Sequence, residues 1–259
     1  MKKVTLILSF LMMTLVVSNI NAQDKPEKGS FGTEIQFNPF DQDGKTFSLE
    51  GLKLRYFLTD KDVLRLKLRL SGASNKFSLD EKVNENVTNT SDFKTRTGLW
   101  GLNVGYERHF AVAHRVSVYV GGELGFSHHF AHTNISSGNN GDKSNEGIIS
   151  NGAITKLEDD GKPESDDNLL NKVNDRAYFG FNAAAIAGLD FYVYKGLYLG
   201  AELGFKIESR NGLDMKYQYH HNIGNGGQSN IQEFNSNDSA RETSFGFYVD
   251  PVIRLGWTF

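Results

Sequence analysis

The sequence predicts an all-β fold, an eight-stranded antiparallel up-and-down transmembrane β-barrel with long extracellular loops. Three observations lead there: apolar and polar residues alternate with period two in eight segments, the polar faces carry balanced charge, and short connections alternate with long ones. Successive side chains of a strand point to opposite faces, so period two is the strand signature. A soluble sandwich hides its apolar face, whereas a barrel in lipid turns that face outward and must pair the charges inside.

The chain opens with MKKVTLILSFLMMTLVVSNINA, residues 1–22. Two lysines, an apolar run over 4–17 and a polar stretch closing on Ala22 read as a secretory signal peptide. The run is shorter than the roughly 20 residues of a membrane-spanning helix. The expected mature chain therefore starts at Gln23, with 23–30 a periplasmic N-terminal segment and 31–259 the barrel. The absence of cysteine excludes disulfides and a lipid-modified cysteine. Removing Lys2 and Lys3 takes the net charge from −3 to −5, which gives nucleic acid no electrostatic handle.

Each strand follows from its alternation. The first is 31–37; in 52–58, Leu52, Leu54, Tyr56 and Leu58 oppose Lys53, Arg55 and Phe57. VLRLKLRL, 63–70, sets Leu64, Leu66, Leu68 and Leu70 against Arg65, Lys67 and Arg69. In 100–110, Trp100, Leu102, Val104, Tyr106 and Phe110 oppose Asn103, Glu107 and His109. Segments 116–130, 179–193, 197–207 and 245–259 complete the eight. Their polar faces hold seven acids (Glu34, Glu107, Glu123, Asp190, Glu202, Glu208, Asp250) and seven bases (Lys53, Arg55, Arg65, Lys67, Arg69, Lys206, Arg254). Such a balance implies a lumen closed by ion pairs. The apolar faces carry aromatics at two levels: Phe37, Trp100, Phe126, Phe181, Phe205 and Phe247, then Tyr56, Tyr106, Phe110, Phe191, Trp257 and Phe259. Two aromatic girdles around an aliphatic band are the mark of a lipid-embedded barrel.

If the chain starts in the periplasm, 59–62, 111–115 and 195–196 are periplasmic turns, and 41–46, 80–92, 132–175 and 211–243 are outer loops. YVGGELGF (119–126) echoes YLGAELGF (198–205), and the inward Gly121, Gly125, Gly200 and Gly204 leave room for long charged side chains. In the longest loop, Asn151-Gly152 between apolar-polar runs predicts a hairpin; 215–234 repeats the form, so both loops are expected to project as β-ribbons.

The closing VIRLGWTF alternates and ends on Phe259. It resembles the C-terminal recognition signal of bacterial outer-membrane proteins, with Trp257 and Phe259 as the assembly signal. With the signal peptide and eight strands, the chain resembles small outer-membrane barrels of the OmpA-barrel and OmpX type, including the porin-family barrels of Bacteroidetes. In a departure from the OmpA pattern, no peptidoglycan-binding domain is expected after Phe259. The resemblance implies a Gram-negative outer-membrane location, a monomer, lipid and lipopolysaccharide as surroundings, and the barrel assembly machinery as a partner in biogenesis. It also implies a non-enzymatic role in envelope integrity or surface interaction, the loops offering a place for an extracellular ligand or envelope partner.

Two alternatives are distinct in class. Ser127 and His129, in FSHHFAH, share a strand face as a nucleophile and base require, and resemble the serine and histidine of barrels that deacylate or acylate lipid A. The second is a narrow channel for small solutes. No cofactor or metal is expected: His128, His129, His132, His220 and His221 match no zinc spacing, and the acidic pairs Asp159-Asp160 and Asp166-Asp167 form no calcium ladder.

Overall fold

The computed structural model describes residues 25–37, 49–140, 142–155, 166–221, 230–236 and 240–259. Thirteen strands and one 3-10 turn lie in these: β1 Phe31–Phe37, β2 Leu49–Phe57, β3 Asp62–Asn84, β4 Val87–Ala113, β5 Val116–Asn139, β6 Asp142–Ser150, β7 Gly152–Ala153, the turn Asp166–Lys172, β8 Asp175–Arg176, β9 Tyr178–Tyr194, β10 Leu197–Gly212, β11 Lys216–His221, β12 Asn230–Asn235 and β13 Arg241–Thr258. Eight of them close a ring in the order β1-β2-β3-β4-β5-β9-β10-β13, every neighbour antiparallel. Closure leaves no free edge around the ring, which lets a sheet stand in lipid. The seam joins the two ends of the barrel: Phe31 N–H donates to Phe259 O at 2.9 Å and Phe259 N–H to Phe31 O at 2.8 Å.

Three short turns occupy one end. At Lys195-Gly196 both φ angles are positive, 41° and 81°, the hairpin geometry whose twist matches the flanking strands. A Cβ on Gly196 would stand 2.3 Å from Thr258 O. The turn before Asp62 is tied by its carboxylate, which accepts from the Thr59 hydroxyl at 2.6 Å and from Tyr106 and Arg108. These donors, Thr59 first, hold the Asp62 carboxyl below the usual carboxylate range.

The opposite end carries the long connections, and here the structure corrects two expectations. The segment 80–92 is not an open loop: β3 and β4 stay paired up to Asn84↔Val87. Asn151 does have positive φ, 61°, but it bends the chain from β6 into β7, which pairs with β8. The hairpin tip lies instead at Asn140, φ 51°, where β5 turns back into β6. Both sites are Asn-Gly, and a local pattern cannot tell which one joins paired strands. The other expected ribbon is present as β11 paired with β12, and β11 also pairs with β6. The two long connections are thus laced into one sheet, β12-β11-β6-β5-β4-β3, that rises from the barrel wall. Its own apolar core joins Phe93, Ile135, Ile149, Ile154, Leu169 and Tyr217. The expected first loop, 41–46, lies outside the described residues.

The ring is apolar outside and polar within. Leu64, Leu102, Val104, Leu124, Leu189 and Leu203 are exposed, while Glu34, Lys53, Arg55, Glu107 and Asp190 are buried. Toward the turns, Tyr56, Tyr106, Phe110, Phe191 and Phe259 stand on the exterior. Toward the loops, Trp100 and Phe181 each pack against Phe126, and Phe205 packs against Phe247.

Candidate functional site: the charged lumen

The pairing register converts alternation into an interior of large residues set against small ones. Along one hydrogen-bond row, Arg65, Gly105, Glu123, Ala184 and Lys206 are successive neighbours; the next reads Lys67, Asn103, Gly125, Asn182 and Glu208. The small members make space. A Cβ on Gly125 would meet Asn103 side-chain atoms at 2.4 to 2.6 Å, and one on Gly188 would stand 2.3 Å from the Tyr119 ring.

Arg65 is the hub. Its guanidinium takes Glu202 in a fork, Nη1 to Oε2 at 2.9 Å and Nη2 to Oε1 at 3.1 Å, and reaches Glu107 at 2.9 Å and Glu123 at 3.1 Å. Such a planar bidentate pair fixes geometry as well as charge. Arg55 pairs with Asp190 at 2.7 Å and Glu107 at 3.0 Å, and Lys53 with Glu34 at 3.0 Å. Lys53, Arg55, Glu34, Glu107 and Asp190 side chains have 0% exposure. Tyr119 donates to Glu202 at 2.6 Å, Tyr198 donates to Glu34 at 2.9 Å, and both rings face the Arg55 guanidinium, 5.0 and 5.4 Å away. Buried charges are tolerated only when paired and hydrogen-bonded, and this cluster supplies both from seven strands of the ring.

Other expected members sit apart. Among the described residues Arg69 reaches no carboxylate; it donates to Asn103 Oδ1 at 3.5 Å, and Asn103 donates to Glu123 at 3.1 Å and Asn182 at 2.8 Å. Lys67 is half-buried one register position from Arg69. Lys206 pairs with Glu208 at 2.8 Å, beside Arg210, which lies 3.3 Å from the same carboxylate. The side chains of Asp250 and Arg254 lie outside the described residues.

Sequence reading had not singled out Tyr119, Tyr192, Tyr198 or Ser117. Parity signals the first and third: Tyr119 has the parity of Glu123, and Tyr198 that of Glu202. Toward the turns, Ser117 Oγ is 3.1 Å from His109 Nδ1 and His109 Nε2 is 3.0 Å from Glu107. With Nε2 protonated toward the carboxylate, Nδ1 accepts the serine hydroxyl, in the order nucleophile, base and acid. Glu107 is already shared with Arg55 and Arg65, so its charge is committed to them rather than to an imidazolium. A cavity of about 210 Å³ beside Ser117 and His109 is bounded by Lys25, Phe57 and Tyr192. Lys25 Nζ donates to Val116 O at 3.1 Å and to Ala113 O, drawing the N-terminal segment under this end.

Ser127 and His129 both face inward, as their parity requires. His129 Nε2 lies 2.8 Å from Asp175 and the ring stacks on Tyr178 at 5.1 Å. Ser127 Oγ is buried against Gly180 and has no hydrogen-bond partner among the described residues. Among those residues no group of three or more His, Asp or Glu converges as metal ligands.

A closed antiparallel ring with an apolar exterior, aromatic girdles and a charged interior is the construction of an outer-membrane β-barrel protein. Residues 40–259 match the model of the OmpA-OmpF-like porin family, and the chain belongs to that family. Among solved structures, the outer membrane protein OprG from Pseudomonas aeruginosa aligns over 92% of this chain and 99% of its own, at 10% identity and a TM-score of 0.35. No curated protein sequence matches.

Proposed function

We propose that this protein is a non-conducting barrel whose long-loop end faces outside the cell and serves envelope integrity or surface interaction through its loop-borne sheet. The observation that supports this most is the buried Lys53–Arg55–Arg65 cluster with its five carboxylates, which fills the lumen from wall to wall. An eight-stranded barrel has an interior that side chains can fill, so a family name containing "porin" does not require a pore. Reconstituted into a planar bilayer, the protein is expected to give no current steps above baseline. Stable channels would overturn the reading in favour of a narrow solute channel.

Lipid-acyl hydrolysis or transfer at Ser127 and His129 is a second reading, favoured by Asp175, which stands 2.8 Å from His129 Nε2 as an acidic orienting partner. Overproduction of the wild-type protein, but not of Ser127→Ala, should then change the mass of lipid A. An unchanged profile removes this reading and leaves the first intact.

A further inference from the structure

Parity places Lys76, Lys94 and Arg96 on the exterior, beyond the aromatic girdle. Their chain neighbours Phe77 and Phe93 stack on each other, 5.0 Å apart, and Phe93 is buried, while all three cations are exposed. Lys76 lies directly opposite Lys94 across β3 and β4, and Arg96 lies beside His132 across β4 and β5. Like charges facing each other across a strand pair are destabilising, and Arg96 is only two residues from Lys94. Among the described residues none of the three has an ion pair or hydrogen bond. The nearby carboxylate Asp92 is engaged by Ser78 and lies farther from the apolar band. On the far wall Ser209 and Asn211 on β10 and Thr243 on β13 are uncharged, and among the described residues Arg241 stands opposite Asn211 with no second cation paired to it across the strands.

Height and surroundings narrow what neutralises this patch. Arg96 stands four residues beyond Trp100, roughly 13 Å along the strand, where the apolar band ends and headgroups begin. At the level of Trp100 lies an aromatic cluster in which His128 packs on Trp100 and Phe179. Below, a groove of about 650 Å³ runs along the exterior from β3 and β4 across β5 and β9 to β10. Its floor is Gly122, Ala183 and Ala185, and Tyr106 and Phe205 wall it on either side. Cations at headgroup level above an apolar furrow match an amphiphile with an anionic head and apolar tails.

We propose that the wall from β3 through β4 and β5 to β9 is a specific binding site for a phosphorylated, multiply acylated lipid of the surrounding leaflet. Lys76, Lys94 and Arg96 receive its phosphates, and the groove over Gly122, Ala183 and Ala185 seats an acyl chain. The proposal rests on the outward orientation of the loop end and names a partner for the envelope role. Charge-assisted contacts to phosphate supply the head recognition, and the small floor residues allow close packing of the tail.

The full chain, refolded in lipid-free detergent, would be titrated with diphosphoryl lipid A and the bound lipid counted by native mass spectrometry. The wild type should hold one lipid at least ten-fold more tightly than Lys76→Gln/Lys94→Gln/Arg96→Gln, and dephosphorylated lipid should bind both equally weakly. Ala185→Leu, which fills the groove, should weaken the acylated lipid several-fold. Unchanged affinity in the triple variant overturns the site. So does equal loss in Lys82→Gln/Arg241→Gln, which removes two other loop-end cations, or binding of inorganic phosphate as tight as that of the lipid. Band mobility with and without boiling confirms that each variant is folded; if the triple variant fails this check, Arg96→Gln alone decides, with a three-fold loss expected and none overturning the site. A barrel that neither conducts nor binds this lipid retains the envelope reading and loses this one.

Discussion

Arg65 satisfies three carboxylates at once, so its removal strands Glu107, Glu123 and Glu202 together in a closed interior. Arg65→Met should destabilise the barrel by about 3–5 kcal/mol, the usual consequence of breaking a buried pair from one side, read as a lower urea midpoint in detergent. Arg69→Met removes only a 3.5 Å bond to a neutral amide on a half-buried side chain, and about 1 kcal/mol or less is expected. Equal losses would mean that position in the lumen, not the ion pairs, sets the energetics. The glycines allow a second comparison. Gly188→Ala drives a methyl into the Tyr119 ring and toward Ala201 O at 2.8 Å, and overpacking of this kind costs about 1–3 kcal/mol. Gly246→Ala meets nothing within 4 Å and should fall within about 0.5 kcal/mol of wild type in the same titration.

Among the elements, the ring strands were legible in the sequence and the loop strands only in part. Period two in 63–70 or 100–110 states directly which side chains face the lumen, because one face meets lipid and the other charge. The pairing of β6 with β11 has no such local mark: it joins segments of two different connections, and its register is set by the shared core around Ile149 and Tyr217. The same limit hid the true hairpin tip at Asn140 behind the equally suggestive Asn151. In the lumen, charge and parity pointed to Arg65, Glu107, Glu123, Asp190 and Glu202. Neither could tell that Arg69 would meet an asparagine instead, since partner choice depends on how rows of neighbouring strands interlock. The loop-borne core also makes the upper sheet separable from the barrel. Tyr217→Ala should cost that sheet about 3 kcal/mol and speed proteolysis within 132–175 and 211–243, while the boiled and unboiled bands still differ as in the wild type. Loss of the mobility difference would show that sheet and ring fold as one unit.

At the scale of the whole molecule, closure and occlusion come from different sources. Backbone hydrogen bonds around eight strands close the wall, and they do not depend on which side chains point inward. Occlusion comes from long charged side chains held in place by each other, so it can be removed while the wall survives. Lys53→Ala/Arg55→Ala/Arg65→Ala deletes every cation of the central cluster and leaves Glu34, Glu107, Glu123, Asp190 and Glu202 lining vacated space. Carboxylates left unpaired in a dry interior draw in water and counter-ions, because an isolated buried charge is far costlier than a hydrated one. The variant should be less stable than wild type yet still shift on boiling, and in a planar bilayer it should show cation-selective current steps where the wild type shows none. Removing the same number of cations outside the cluster, as in Lys67→Ala/Lys206→Ala/Arg210→Ala, should leave the bilayer insulating. If the central variant folds and is also insulating, the charged cluster is not what closes the lumen, and its role is confined to the stability of the wall.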